Sequence, residues 1–284
     1  MQISCIYEQG SAPVNEDRVL VEEDLFGVFD GATSLTKGLF MGGRTGGYLA
    51  AKLAARAFQE NDAPLTVLAG RANAAIRAAM EENGVDCSEK PALWSASAAV
   101  VRVRDGALEW AQIGDCVILL LLDDGGHALL CGPLDHDRET LELWKKAACG
   151  TKETIHAALG GQIRKVRSRM NIDYGVLSGE PEALAFLRGG TRSLAGVRHV
   201  ILCTDGLFTP KADPGAREDF CAFIEAYRQG GLSGVLERVR AAERIDPRCE
   251  RYPRFKTHDD VAAVALRFPR RGREEQAAVL HEKT

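Results

Sequence analysis

Leu25-Phe26-Gly27-Val28-Phe29-Asp30-Gly31 is the stretch around which the rest of the chain can be read. A short apolar run reaches an acid, and a glycine follows at once. The run is rich in β-favouring residues and too short for a helix, so it reads as a buried strand. Asp30 then stands at the strand's end, beside a backbone free to turn sharply. Val200-Ile201-Leu202-Cys203-Thr204-Asp205-Gly206 has the same design. A third stretch puts the acids first: His258-Asp259-Asp260, then the strand-like Val261 to Leu266. Acids at the ends of neighbouring strands can meet, and clustered carboxylates repel unless cations lie between them. Such oxygen donors suit hard divalent ions, magnesium or manganese.

Working outward, the first residues (2–7 and 18–23) read as strands, joined by a turn-rich loop that closes on Glu16 and Asp17. Glycines crowd residues 38–47. They lack the Gly-Lys-Ser/Thr ending of a phosphate loop, so close packing at a helix start is the expectation. Helices are expected over 48–59 and 64–82, where apolar residues recur at helical spacing. Residues 95–131 read as a β-meander punctuated by Asp105-Gly106 and Gly114-Asp115. The span 132–178 is the least regular: a helix over 138–148, a break at Gly160-Gly161, and a flap-like excursion overall. A strand over 198–204, helices over 216–228 and 232–243, and a strand ending near Phe268 complete the pattern. One domain over 1–268 and a charged tail over 269–284 are expected. Hairpins outnumber strand-helix-strand units, which argues an antiparallel, layered α+β fold.

Composition narrows the function. The 284 residues are 45% hydrophobic, enough for one substantial core. A net charge of -4 without a basic block before the tail gives no footprint for nucleic acid. The longest purely apolar run, Cys116 to Leu122, is far short of the roughly 20 residues a membrane span needs. No signal peptide is visible. None of the eight cysteines forms a Cys-x-x-Cys pair, so buried thiols in a reducing cytoplasm are expected.

Asp30, Asp205 and Asp259, with Glu16 or Asp17, can hold two divalent cations. Such a pair lowers the pKa of a bridging water, aims it at phosphorus and neutralises phosphate charge. Each acid alone is equally what a turn or cap residue looks like.

The ordered set resembles the PPM family of metal-dependent protein phosphatases, also called protein phosphatase type 2C. Asn15-Glu16-Asp17-Arg18 is similar to the first acidic motif, and Val28-Phe29-Asp30-Gly31 to the second. Ser95 to Val100 with Ile113 to Cys116 resembles the paired central strands. Cys203 to Phe208 and Asp259-Asp260-Val261 resemble the late metal motifs. The resemblance implies a four-layer α-β-β-α sandwich, two antiparallel β-sheets flanked by helices. It implies two Mn2+ or Mg2+ ions, a phosphorylated protein substrate and hydrolysis of phosphoserine or phosphothreonine by a water between the metals. Asp30 would bridge the ions, and Gly31 would offer its carbonyl. Asp205 and Asp259 would complete one site. Glu16 aligns with an acid at the second metal, and Asp17 with a neighbour acting through water. Asp260 falls just outside the ligands, and Asp115 aligns with a structural turn. A monomer is expected, with no nucleic-acid or membrane partner.

The chain departs from the pattern in places. Ala32 stands where relatives carry a proton-donating His, and Ala12 and Pro13 where they often carry a phosphate-binding Arg, leaving the metals alone, or another base such as Arg18 or Arg44, to hold the phosphate. No clear third-metal site is present near residues 171–175. His258 reads as a packing residue. Two alternatives therefore stand beside the phosphoprotein phosphatase: a phosphatase-like binding module with weak or no turnover, and a phosphatase of a small metabolite.

Overall fold

The computed structural model describes residues 1–33, 35, 38–40, 42–132, 134–148 and 153–269; the expected tail from 270 onward and Cys149 lie outside them. One sheet has the order β1 (Gln2–Glu8), β10 (Val261–Arg267), β9 (Val197–Cys203), β6 (Val117–Leu122), β7 (His127–Leu129). The other runs β2 (Arg18–Val21), β3 (Leu25–Gly31), β4 (Ala96–Arg104), β5 (Ala107–Ile113), β8 (Arg188–Ser193). Every pairing is antiparallel.

The central strands read as unbroken apolar runs because both their faces are covered. In β3, Phe26 and Val28 point between the sheets, where they meet Ile118, Leu120, Val200, Leu202 and Val264. Leu25 and Phe29 point the other way, onto α1 (Gly46–Gln59) and α2 (Leu65–Glu82) through Ala54, Phe58, Leu68 and Ile76. The second sheet repeats this: Ile201, Cys203, Val261 and Ala263 face outward onto α5 (Phe220–Arg244), against Phe223, Ile224 and Val235. The layers are thus helix, sheet, sheet, helix, as expected. Each fully buried Phe or Leu in them contributes about 1.5–3 kcal/mol by transfer from water.

Thr45 caps α1, its hydroxyl accepting from the Tyr48 amide at 3.2 Å. The glycines there allow close approach: a Cβ on Gly46 would lie 2.2 Å from Trp94 Cδ1. The 132–178 span holds α3 (Arg138–Ala147) and α4 (Ile155–Arg167), which meet through Trp144, Ala148 and Ile155 with Phe255 beside them.

The breaks expected in two helical spans are present. Helix α4, its start capped by Thr154, kinks at Leu159, beside Gly160-Gly161. The helices expected over 216–228 and 232–243 lie on either side of a kink at Gly231, φ +63°, the first beginning at Phe220 rather than at 216. One element differs from the sequence reading. Strand β8, Arg-Gly-Gly-Thr-Arg-Ser, was not foreseen: it is an exposed edge strand held by backbone pairing to β5, so it shows no apolar alternation.

Antiparallel pairing sets where the acids go. Cys203, at the end of β9, pairs with Ala263 near the start of β10 and with Val117 at the start of β6. Asp30, near the end of β3, pairs with Ser97 near the start of β4. The chain ends that carry Asp17, Asp30, Asp115, Asp205 and Asp259 therefore share one rim of the sandwich.

Candidate active site

A cleft of about 140 Å³ opens at that rim, lined by Asp30, Gly31, Asp115, Asp205 and Asp259. Asp30 and Asp205 come from opposite sheets, yet their carboxyl groups come close enough to influence each other. Burial raises the pKa of Asp30 well above the carboxylate range, and repulsion from Asp17, Asp205, Asp115 and Asp259 adds to it. Asp205 is raised in the same way, by burial and then by Asp115 and Asp259. Asp17 sits behind the cleft, 2% exposed, with its pKa raised by burial and by Asp259; Thr204 Oγ1 donates to its Oδ2 at 2.8 Å.

Two of the sequence-predicted acids, Glu16 and Asp260, do not line the cleft and are held by hydrogen bonds of their own. Glu16 accepts from Thr45 Oγ1 at 2.6 Å and from Thr33 Oγ1 at 2.7 Å. Asp260 accepts from the Gly10 amide at 2.7 Å and the Glu16 amide at 2.9 Å, tying the β1–β2 loop to the start of β10. These bonds place Asp260 as a support for Glu16. Gly31 is a site where only glycine fits, since a Cβ would lie 2.3 Å from Gly47 O.

Two cations enter the cleft. Lys256 Nζ donates to Asp259 Oδ1 at 2.6 Å. Burial works against its ammonium, but Asp259, with Asp30 and Glu16, holds its pKa above the ordinary lysine value. Arg167, from the end of α4, lines the same cleft. Arg18 and Arg44 do not line it; they stack over the Tyr48 ring, at 3.9 and 4.6 Å from its centroid. His258 is fixed by Glu243, with Nδ1 2.7 Å from Oε2, in line with a packing role.

Sequence reasoning missed Lys256 and several other features of the cleft. Asp115 lines it, with a buried Oδ1 that finds no hydrogen-bond partner, although Gly114-Asp115 reads as ordinary turn chemistry. Arg167 and His136 come from the irregular span, whose charged residues show no period to place them.

The donor set is what a hard divalent cation takes: carboxylate oxygens buried together, whose mutual repulsion a cation relieves. Among the described residues no three His, Cys, Asp or Glu side chains stand as a ready-made cation cage, and Lys256 holds Asp259.

Comparisons with known proteins agree with this geometry. The solved structure of the serine/threonine phosphatase PstP/Ppp of Mycobacterium tuberculosis superposes with a TM-score of 0.56 at 18% identity, over 95% of this chain and 99% of that one. The PstP catalytic domain in complex with two manganese ions gives 0.55 at 19%, over 93% and 96%. Stp1 of Staphylococcus aureus gives 0.56 at 13%, over 95% of each. At such identities the likeness is one of fold. No individually curated protein matches the chain. The family model for Protein phosphatase 2C matches residues 12–239, a span that carries Glu16, Asp17, Asp30 and Asp205 and stops short of Asp259. With most of its length inside that match, and the fold and rim of acids to go with it, the chain belongs to the protein phosphatase 2C family.

Proposed function

We propose that the chain is a metal-dependent phosphatase that removes phosphate from serine and threonine in proteins. The observation that carries this reading is the convergence of Asp30, Asp205 and Asp259, from both sheets, on one cleft. Asp30, Asp205 and Asp259 would hold the ions, with the Gly31 carbonyl, Glu16 and Asp17 completing the donor set. Two manganese or magnesium ions would supply an activated water and neutralise phosphate charge. Asp260 acts through the Glu16 amide. Thr204 fixes the Asp17 carboxylate, and Thr33 and Thr45 fix Glu16. Arg167 brings positive charge to the incoming phosphate, and Lys256 orients Asp259. The binding-module alternative is not favoured, given membership of a phosphatase family. The substrate is a protein, the working state a monomer, and neither nucleic acid nor membrane is involved. No helix among the described residues is long and apolar enough to cross a membrane. Free cysteines such as Cys116 and Cys203 fit a cytoplasmic home.

The test is hydrolysis of para-nitrophenyl phosphate and of a phosphoserine peptide with manganese. Chelator should abolish both activities. Asp30→Asn should lose more than about 100-fold, the upper end of what residues merely supporting metal ligands cost. Activity indifferent to chelator, or intact in Asp30→Asn, would refute the reading.

A further inference from the structure

A phosphatase acting on serine or threonine must expel an alkoxide, a poor leaving group that needs a proton as it departs. Ala32, next to the bridging acid's glycine, has none to give. Histidine is the side chain best suited to the task near neutral pH. His127 is exposed, and His281 lies outside the described residues. His199 Nδ1 is engaged by the Tyr227 hydroxyl at 3.0 Å, and His258 by Glu243. Only His136 and His156 line the cleft that holds Asp30 and Asp205. His156 packs against Phe255, with ring centroids 5.8 Å apart. Burial, and then the charges of Lys256 and Arg167, lower its pKa, so it holds a proton to donate only in more acidic solution.

His136 is built differently. Its ring stacks on Tyr174, centroids 4.1 Å apart and planes within 10°. Its Nε2 lies 3.4 Å from Asp137 Oδ2. Its Nδ1 is buried and has no hydrogen-bond partner. Most buried side-chain nitrogens are hydrogen-bonded, so a buried ring nitrogen without a protein partner stands out. Here a carboxylate stands beside one nitrogen, an aromatic face fixes the plane, and the second nitrogen has no protein partner to compete with a substrate oxygen. That is the division of labour in a carboxylate–imidazole pair that moves protons. His136 also lines a second cleft of about 180 Å³ that shares Asp115, Asp205 and Asp259 with the first, so it stands where the two meet.

We propose that His136 is the general acid of the reaction, with Asp137 and Tyr174 as its positioning residues; the proposal rests on the phosphatase reading above. A water oxygen forms the new bond to phosphorus. The bond from phosphorus to the serine or threonine oxygen breaks, and its electron pair goes to that oxygen. The oxygen takes the proton of the imidazolium Nδ1 and leaves as the alcohol. Solvent, which has taken up the proton shed by the attacking water, reprotonates the ring.

The leaving group supplies the test. The phenolate of para-nitrophenyl phosphate departs without a proton, whereas serine does not. In the full-length, manganese-loaded protein, His136→Asn should lower kcat on a phosphoserine peptide by about 100-fold or more, within the range of general acid catalysis, and change para-nitrophenyl phosphate turnover less than about threefold. Asp137→Asn should shift the same ratio in the same direction by less. Added imidazole should restore part of the peptide activity of His136→Ala, which also serves if the Asn variant folds poorly. Equal losses on both substrates in an active enzyme, or none, would overturn the role of His136 alone. A wild-type protein inactive on both substrates would remove the phosphatase reading and this proposal together.

Discussion

Arg167 shows what a single side chain decides at this site. Its guanidinium makes two long hydrogen bonds, 3.3 Å to Ser95 Oγ and 3.4 Å to Thr33 O, and both anchors stand beside the acid-bearing strand ends. Half-buried in a cleft lined by carboxylates, it keeps donors for an anion, and its planar fork matches phosphate. Hydrogen bonds to charged groups contribute about 1.5–3 kcal/mol, so Arg167→Ala should raise KM for a phosphopeptide roughly 10- to 100-fold. Steady-state kinetics should show kcat changed much less. A drop confined to kcat would assign Arg167 some other part. Arg18 and Arg44 were the bases the sequence offered for this purpose, and their stacking on Tyr48 directs them elsewhere.

Elements carry these residues, and their joints can be tested separately. Helix α1 begins hard against Trp94, where a Cβ on Gly46 would come within 2.2 Å of the indole. Helix α4 has the opposite situation: a Cβ on Gly161 would meet nothing within 4 Å. The same change should therefore have opposite signs. Gly46→Ala should destabilise by about 1–3 kcal/mol through overpacking. Gly161→Ala should stabilise by about 0.4–1 kcal/mol by restricting the unfolded chain. Chemical denaturation of both variants measures this, and equal effects would contradict the assigned packing. The position of α4 bears on the cleft because its last residue, Arg167, lines it.

For the whole molecule, the acidic rim couples stability to pH and to metal. Asp17, Asp30 and Asp205 have pKa values raised by burial and by one another. The folded state thus holds protons on them more tightly than the unfolded state. Their contribution to stability is complete below the ordinary carboxylate range, near about 4, and is lost as pH rises through the raised folded values. At neutral pH without divalent ions they oppose folding. Chelated wild type should accordingly lose stability relative to Asp30→Asn as pH is raised from about 4 to 7. Manganese at 100 times its dissociation constant should add about 2.7 kcal/mol to wild type. Thermal melts across pH, with and without manganese, measure both; a wild type that gains on Asp30→Asn with rising pH would contradict the clustering of these acids.

The sequence by itself determined the central strands, most of the helices and the antiparallel layering, because burial on both faces writes unbroken apolar runs such as Leu25 to Phe29 and Val200 to Cys203. It also marked Asp30, Asp205 and Asp259, since an acid followed or preceded by a strand is a local signal. It could not show that Asp115 shares their cleft, as a turn acid looks the same wherever the turn leads. Nor could it locate β8, whose stability lies in backbone pairing and leaves no side-chain pattern. Arg167 and His136 lie 137 and 106 residues from Asp30 along the chain. Only the packing of α3, α4 and their flanking loops over the rim brings them to it, and that packing depends on contacts between segments that no local periodicity encodes.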